Sequence, residues 1–229
     1  MDSPVPEHPY FPLGTLMPDY VANELSGPEL VACFAAGSAV ILGTALVIIQ
    51  GSRPGLRTCE TVTALWFVLC GFIHFFFEGY FAYNYASMPN KMDIFGQLWK
   101  EYSLSDSRYL TGDSFVVTME AVTAVLWGPL SFVCAWCIVA RSPLRHPLQL
   151  IISLGQLYGD VLYYATATYA VAVEGVEYCR PEAFYFWAYY FLCNFFWIVI
   201  PFCLIVSSVK HTVRAFAQVQ RAEAGKKKQ

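Results

Sequence analysis

The chain has 229 residues, 57% hydrophobic and 17% aromatic but only 14% charged, where a soluble domain carries roughly 25%. Lys and Arg number 14 against 17 Asp and Glu, for a net charge of −3 and a mean hydropathy of +0.46. This shortage of charge excludes a disordered chain and a basic nucleic-acid binder, and leaves a soluble globule without enough polar surface to cover itself.

A helix crossing the hydrocarbon core needs about 20 apolar residues, and five stretches satisfy that. The first lies near 30–49, between Glu29 and Arg53. The second, 61–85, is interrupted only by His74 and Glu78. The third, 114–140, has Glu120 as its single charge, and the fourth, 148–173, contains Asp160. The fifth, 183–209, has no charge but holds Asn194 and Pro201. The runs are apolar on all faces without a period of two, so helices are expected rather than barrel strands. The reading is an all-α polytopic membrane protein: a bundle of five transmembrane helices over 30–209 with an intramembrane pocket. An N-terminal arm, 1–29, precedes it, and a basic tail, 210–229, follows.

The short loops allow basic residues to be counted by side. One side receives Arg53, Arg57, Arg141, Arg145 and the tail with Lys210, Arg214, Arg221 and Lys226 to Lys228. The other receives only Lys91, Lys100, Arg108 and Arg180. The C-terminus is therefore expected in the cytosol, and the acidic arm, which has no Lys or Arg, in the lumen. The first 29 residues lack the apolar core of a signal peptide, so the first span is expected to double as the targeting signal. The ending Lys226-Lys227-Lys228-Gln229 fits a receptor-read address for retrieval to the endoplasmic reticulum.

Six of the eight cysteines fall within spans, where a free thiol behaves as a small apolar group. Cys59 and Cys179 are expected on opposite sides of the bilayer, which leaves no disulfide framework. No phosphate-binding loop, dinucleotide fingerprint, zinc motif or nucleophile elbow is present, so no cofactor and no metal are expected. No internal repeat supports a transporter built from paired halves.

Charges at membrane depth cost about 2.5–3.5 kcal/mol on insertion scales and mark functional sites by default. His74 and Glu78 are four residues apart and share one helical face. Glu120 has Thr123 one turn further along its own face. The second and third spans run in opposite directions, so both carboxyls fall in the lumenal half and meet the imidazole there. Asn194 and Trp197 bring an amide and an indole to comparable depth. A carboxyl in apolar surroundings stays protonated and becomes a competent acid near neutral pH. An indole face stabilises a cation by about 2 kcal/mol or more once water is excluded. Together they suit proton transfer to and from an apolar substrate through a cation. Asp160 is expected instead to bond a tyrosine or backbone group across helices.

These residues carry a family resemblance. Cys70-Gly71-Phe72-Ile73-His74 running on to Glu78-Gly79, Gln97 to Tyr102 with Asp106-Ser107-Arg108-Tyr109, and Thr118-Met119-Glu120 leading to Trp127-Gly128-Pro129 all resemble the emopamil-binding family of sterol 8,7-isomerases. So do Gly155-Gln156-Leu157-Tyr158-Gly159-Asp160, the stretch from Asn194 through Trp197 to Pro201, and His8-Pro9-Tyr10. The resemblance covers nearly the whole chain. It implies migration of a ring double bond from the 8(9) to the 7(8) position, with protonation at carbon 9, a carbocation at carbon 8 and loss of a proton from carbon 7. By position it implies His74, Glu78 and Glu120 as the acid–base group; which carboxyl delivers the first proton is left open by the sequence, with Glu120 favoured and His74 and Glu78 taking the proton back. Thr123 would support Glu120, Asn194 and Trp197 would line the pocket, and Tyr102, Asp106, Arg108 and Tyr109, in the 86–113 loop, would form a lid or a layer behind the reacting groups. It further implies 8-ene sterols and cationic amphiphilic amines as ligands, and a homodimer in the membrane. The superfamily also holds sterol- and amine-binding members without isomerase activity, so a non-catalytic receptor is the alternative.

Overall fold

The computed structural model describes residues 8–226; Lys227, Lys228 and Gln229 of the expected retrieval signal lie outside them. Seven helices make up the described chain. Helix α1 (Gly27–Ser52) starts at a capping box: the Ser26 N–H donates to Glu29 Oε2 at 2.8 Å, and Pro28 takes the first turn, where no N–H is needed. Helix α2 (Thr58–Asn90) is followed by two short helices, α3 (Ile94–Tyr102) and α4 (Arg108–Thr111). Helix α5 (Ser114–Val139) leads to α6 (Arg145–Tyr169), which a π-helical turn continues over Ala170–Glu174. Helix α7 (Tyr185–Lys226) completes the chain.

Four of these helices, α1, α2, α5 and α7, are long and apolar enough to cross a membrane, so the protein is an all-helical, multi-pass membrane protein. Helix α6 is as long but more polar. Its polar residues Gln149, Ser153, Gln156 and Asp160 are buried, while Ile151, Leu154 and Val161 are exposed. It is apolar outside and polar inside, the reverse of a helix on a soluble protein.

Two expectations change. The 86–113 segment is no open loop: it folds into α3 and α4, and Gln97, Trp99, Lys100 and every residue from Ser103 to Leu110 are buried. The tail after Val209 is no separate segment, because α7 runs unbroken to Lys226. In the first case the polar groups that read as loop signals are engaged by the N-terminal arm. Gln97 Oε1 accepts from the backbone N–H groups of Glu24 and Leu25, Lys100 Nζ donates to the Val21 carbonyl at 2.7 Å, and the Tyr10 hydroxyl donates to the Lys100 carbonyl. The arm is thus a strap laid over α3.

Two apolar clusters hold the bundle. One joins Tyr10, Phe81, Trp99, Tyr109 and Tyr163 at the end where the strap lies; the other joins Phe67, Cys134, Ile138, Leu148 and Ile152 at the opposite end. Between them α2 and α5 cross, antiparallel, where each leaves regular α-helix. A π turn occupies Ile73–Glu78 in α2 and another Thr123–Trp127 in α5, and the two pack on each other. The Gly79 N–H reaches the His74 carbonyl and the Gly128 N–H the Thr123 carbonyl, each five residues back. Only glycine fits at 128: a Cβ there would lie 2.8 Å from Phe75 Cβ and 2.9 Å from its backbone nitrogen. Close approach of small residues is how helices associate in lipid.

Candidate active site

The π turn of α2 carries His74 and Glu78 and that of α5 begins at Thr123; with Glu120, in the regular turn just before it, they face a cavity of about 970 Å³ lined by residues of α1 to α7. A π turn inserts a residue and re-aims the side chains after it, which is why such turns recur at functional sites. His74 is 3% exposed and Glu120 is 4% exposed. His74 Nδ1 lies 2.8 Å from Glu78 Oε2, and its Nε2 lies 3.0 Å from Gln156 Nε2. An amide N–H can only donate, so the imidazole accepts at Nε2 and donates from Nδ1 to the carboxylate. The Glu78 and Glu120 carboxyls adjoin each other across the α2–α5 crossing. The indole of Trp197 lies against the His74 ring, centroids 4.9 Å apart, and is backed by Trp66 at 5.1 Å.

All of the expected residues but two line this cavity. Tyr109 was expected in a lid or behind the reacting groups, and its hydroxyl donates directly to Glu120 Oε1 at 2.7 Å. Burial and the neighbouring Glu120 hold that phenol well above its ordinary pKa, so it remains a donor. Thr123 was expected to support Glu120, but its hydroxyl donates to the Met119 carbonyl at 2.8 Å, a bond to its own helix. Asn194 Nδ2 donates to the Tyr102 hydroxyl at 3.0 Å and to the Tyr190 carbonyl at 2.7 Å, tying α7 to α3.

Asp106 and Arg108 do not reach the cavity. Arg108 donates through Nε and Nη2 to the Asp106 carboxylate, at 2.6 Å for the shorter bond, and through Nη1 to Thr166 Oγ1 at 2.8 Å. Its guanidinium also lies over Tyr163 and Tyr178. Burial alone would lower the Arg108 pKa, but the Asp106 bonds outweigh it and raise the value. The pair locks α4 onto α6.

Sequence reasoning assigned no role to Gln156, which sets the tautomer of His74, nor to Trp127, which lines the cavity and fits against Gly155. An amide at mid-span, four residues before Asp160, was the signal available for Gln156. The bond expected of Asp160 is absent: it makes none among the described residues, and its Oδ2 is buried without a partner.

Fold and site together define a multi-pass helical membrane protein whose buried acids and imidazole close on one apolar cavity. The profile of the EBP family (EXPERA, expanded EBP superfamily) matches residues 94–208, from α3 into α7. The chain is 39% identical over 216 residues to the 3-beta-hydroxysteroid-Delta(8),Delta(7)-isomerase of Mus musculus, covering 92% of this chain and 91% of that protein. It is 38% identical over 209 residues to the protein of the same name from Cavia porcellus, covering 90% and 89%. It is also 32% identical over 155 residues to a protoglabretal synthase of Citrus sinensis, covering 67% and 71%. The chain belongs to the EBP (EXPERA) family.

Proposed function

We propose that this protein is a sterol 8,7-isomerase that moves the ring double bond from 8(9) to 7(8) without redox change. The observation that carries the reading is the set of His74, Glu78 and Glu120 on one apolar cavity with an indole face beside it. Relatives named for this reaction match over most of the chain.

Glu120 delivers its proton to carbon 9, and the Tyr109 hydroxyl, already bonded to Oε1, stabilises the carboxylate left behind. The cation at carbon 8 is held by the Trp197 face, where exclusion of water strengthens the attraction. His74 with Glu78 takes the proton from carbon 7. One proton enters and one leaves; Glu120 regains its proton by way of the adjoining Glu78 carboxyl, which exchanges with water between turnovers. Asn194, through Tyr102, keeps α7 and hence Trp197 at its depth. A protonated amine on an apolar body resembles the cation in charge and shape. Cationic amphiphilic amines are therefore competing ligands.

The protein crosses the bilayer five times, α6 included, because a helix with apolar residues outside and Gln156 and Asp160 inside suits lipid. The arm then lies in the lumen and the basic end of α7 in the cytosol of the endoplasmic reticulum, as the uneven basic residues favour. The arm and the bundle keep their expected limits, the basic tail being the end of α7, and the protein works as a homodimer.

Purified protein in lipid nanodiscs, given an 8-ene sterol, tests the reading. Formation of the 7-ene isomer, inhibited by an amphiphilic amine, is expected. Sterol binding without turnover would instead make the protein a receptor.

A further inference from the structure

One buried acid has no part in these steps. Asp160 is 8% exposed, lines the cavity, and makes no hydrogen bond among the described residues; its Oδ2 is sealed without a partner. Leaving a buried acceptor unmet destabilises a protein, and retaining one at a cavity wall points to a ligand that meets it. The Tyr164 hydroxyl, one turn further along α6, is engaged with the Tyr190 and Phe191 carbonyls and the Asn194 amide of α7 with Tyr102 and Tyr190, while the Tyr163 hydroxyl, also buried without a partner among the described residues, makes no bond to Asp160. Asp160 therefore awaits a single hydrogen-bond donor carried on an apolar body.

Its position sets where that donor lies. Asp160 is four residues after Gln156 on the same buried face of α6, about 6 Å further along the axis. Gln156 bonds His74, so the cavity has two polar poles one helical turn apart: the acid–imidazole cluster and Asp160. In a 3β-hydroxysterol the hydroxyl and the 8(9) double bond sit at opposite ends of two fused six-membered rings, a comparable separation.

We propose that Asp160 accepts a hydrogen bond from the 3β-hydroxyl of the sterol, and so sets the register that brings carbons 7 to 9 against His74, Glu78 and Glu120. This rests on the isomerase reading and gives Asp160 a substrate-orienting role. A hydroxyl contact made equally in ground and transition states acts on KM rather than on kcat.

The test compares kcat/KM for an 8-ene sterol bearing the 3β-hydroxyl with that for its 3-deoxy analogue, in nanodiscs. Unaltered protein should prefer the hydroxylated sterol about tenfold or more, the worth of a hydrogen bond to a buried carboxyl. In Asp160→Leu, which has the same branching but no acceptor, the ratio should fall to near one, with the change carried by KM. Asp160→Asn keeps an acceptor oxygen, should give an intermediate ratio, and carries the comparison if the Leu variant does not fold. A ratio near one in the unaltered protein, or one that neither variant lowers, overturns the proposal. Turnover of neither sterol by the unaltered protein refutes the isomerase reading itself, a separate result.

Discussion

Two polar networks are buried in this bundle, and they are built in opposite ways. At the strap end, Arg108 meets Asp106, Thr166 and two tyrosine faces, so the buried ion pair is satisfied. At the π turns, two carboxyls adjoin, Gln156 Oε1 and Asp160 Oδ2 lack partners, and a cavity opens beside them. A satisfied network fixes structure; an unsatisfied one next to a cavity is held ready for a substrate. The sequence does not separate the two. Both read as charges where charge is scarce, and only packing shows which set is closed.

The largest effect expected on the open network follows Glu120→Gln. Loss of the acid should lower isomerisation by about 100- to 10,000-fold while amine binding survives in part. An initial-rate assay beside an amine-binding measurement checks this, and full activity would exclude Glu120 as the donor. On the closed network, Arg108→Ala leaves Asp106 buried and unpaired, which should cost about 3–5 kcal/mol of stability. Thermal unfolding in nanodiscs should also find the double variant Asp106→Asn, Arg108→Met less damaged than the single one, since no lone charge remains. If the single and double variants melt alike, the pair is not the lock described.

Between the networks, Gly128→Ala pushes a methyl group against the Phe75 backbone. An overpacked crossing of this kind should cost about 1–3 kcal/mol and lower kcat, because the same crossing aims His74 and Glu120. Unchanged melting and kcat would show that the π turns have room to spare. The smallest effect belongs to the exposed pair of Arg180 and Glu182, 2.5 Å apart. Arg180 holds the Glu182 carboxyl down at about 2, so whatever stability it lends is present at neutral pH and is lost only as pH falls through that value. Solvent screens the pair, and Glu182→Gln should leave the melting temperature unchanged.

Much of the architecture was legible because the bilayer demands length and apolarity, and α1, α2, α5 and α7 display both. His74 with Glu78 was legible from helical spacing, and their bond in the structure has that spacing. Three things were not. The 86–113 segment looked like a loop because Gln97, Lys100 and Asp106 are polar, and no local signal reveals that the arm, α4 and α6 bury them. Thr123 shares a helical face with Glu120 but bonds to its own backbone, a competition that spacing cannot resolve. Tyr109 reaches Glu120 because the short α4 turns back over α5, and that is a property of the fold.

The central claim is that Glu120 protonates the sterol at carbon 9 and the His74–Glu78 pair removes a proton from carbon 7. Turnover of an 8-ene sterol in deuterated water, followed by mass spectrometry and NMR of the product, tests it most directly. The account predicts a 7-ene sterol carrying one deuterium at carbon 9, formed by the unaltered protein and lost in Glu120→Gln. A 7-ene product without deuterium at carbon 9, or none at all, would contradict it.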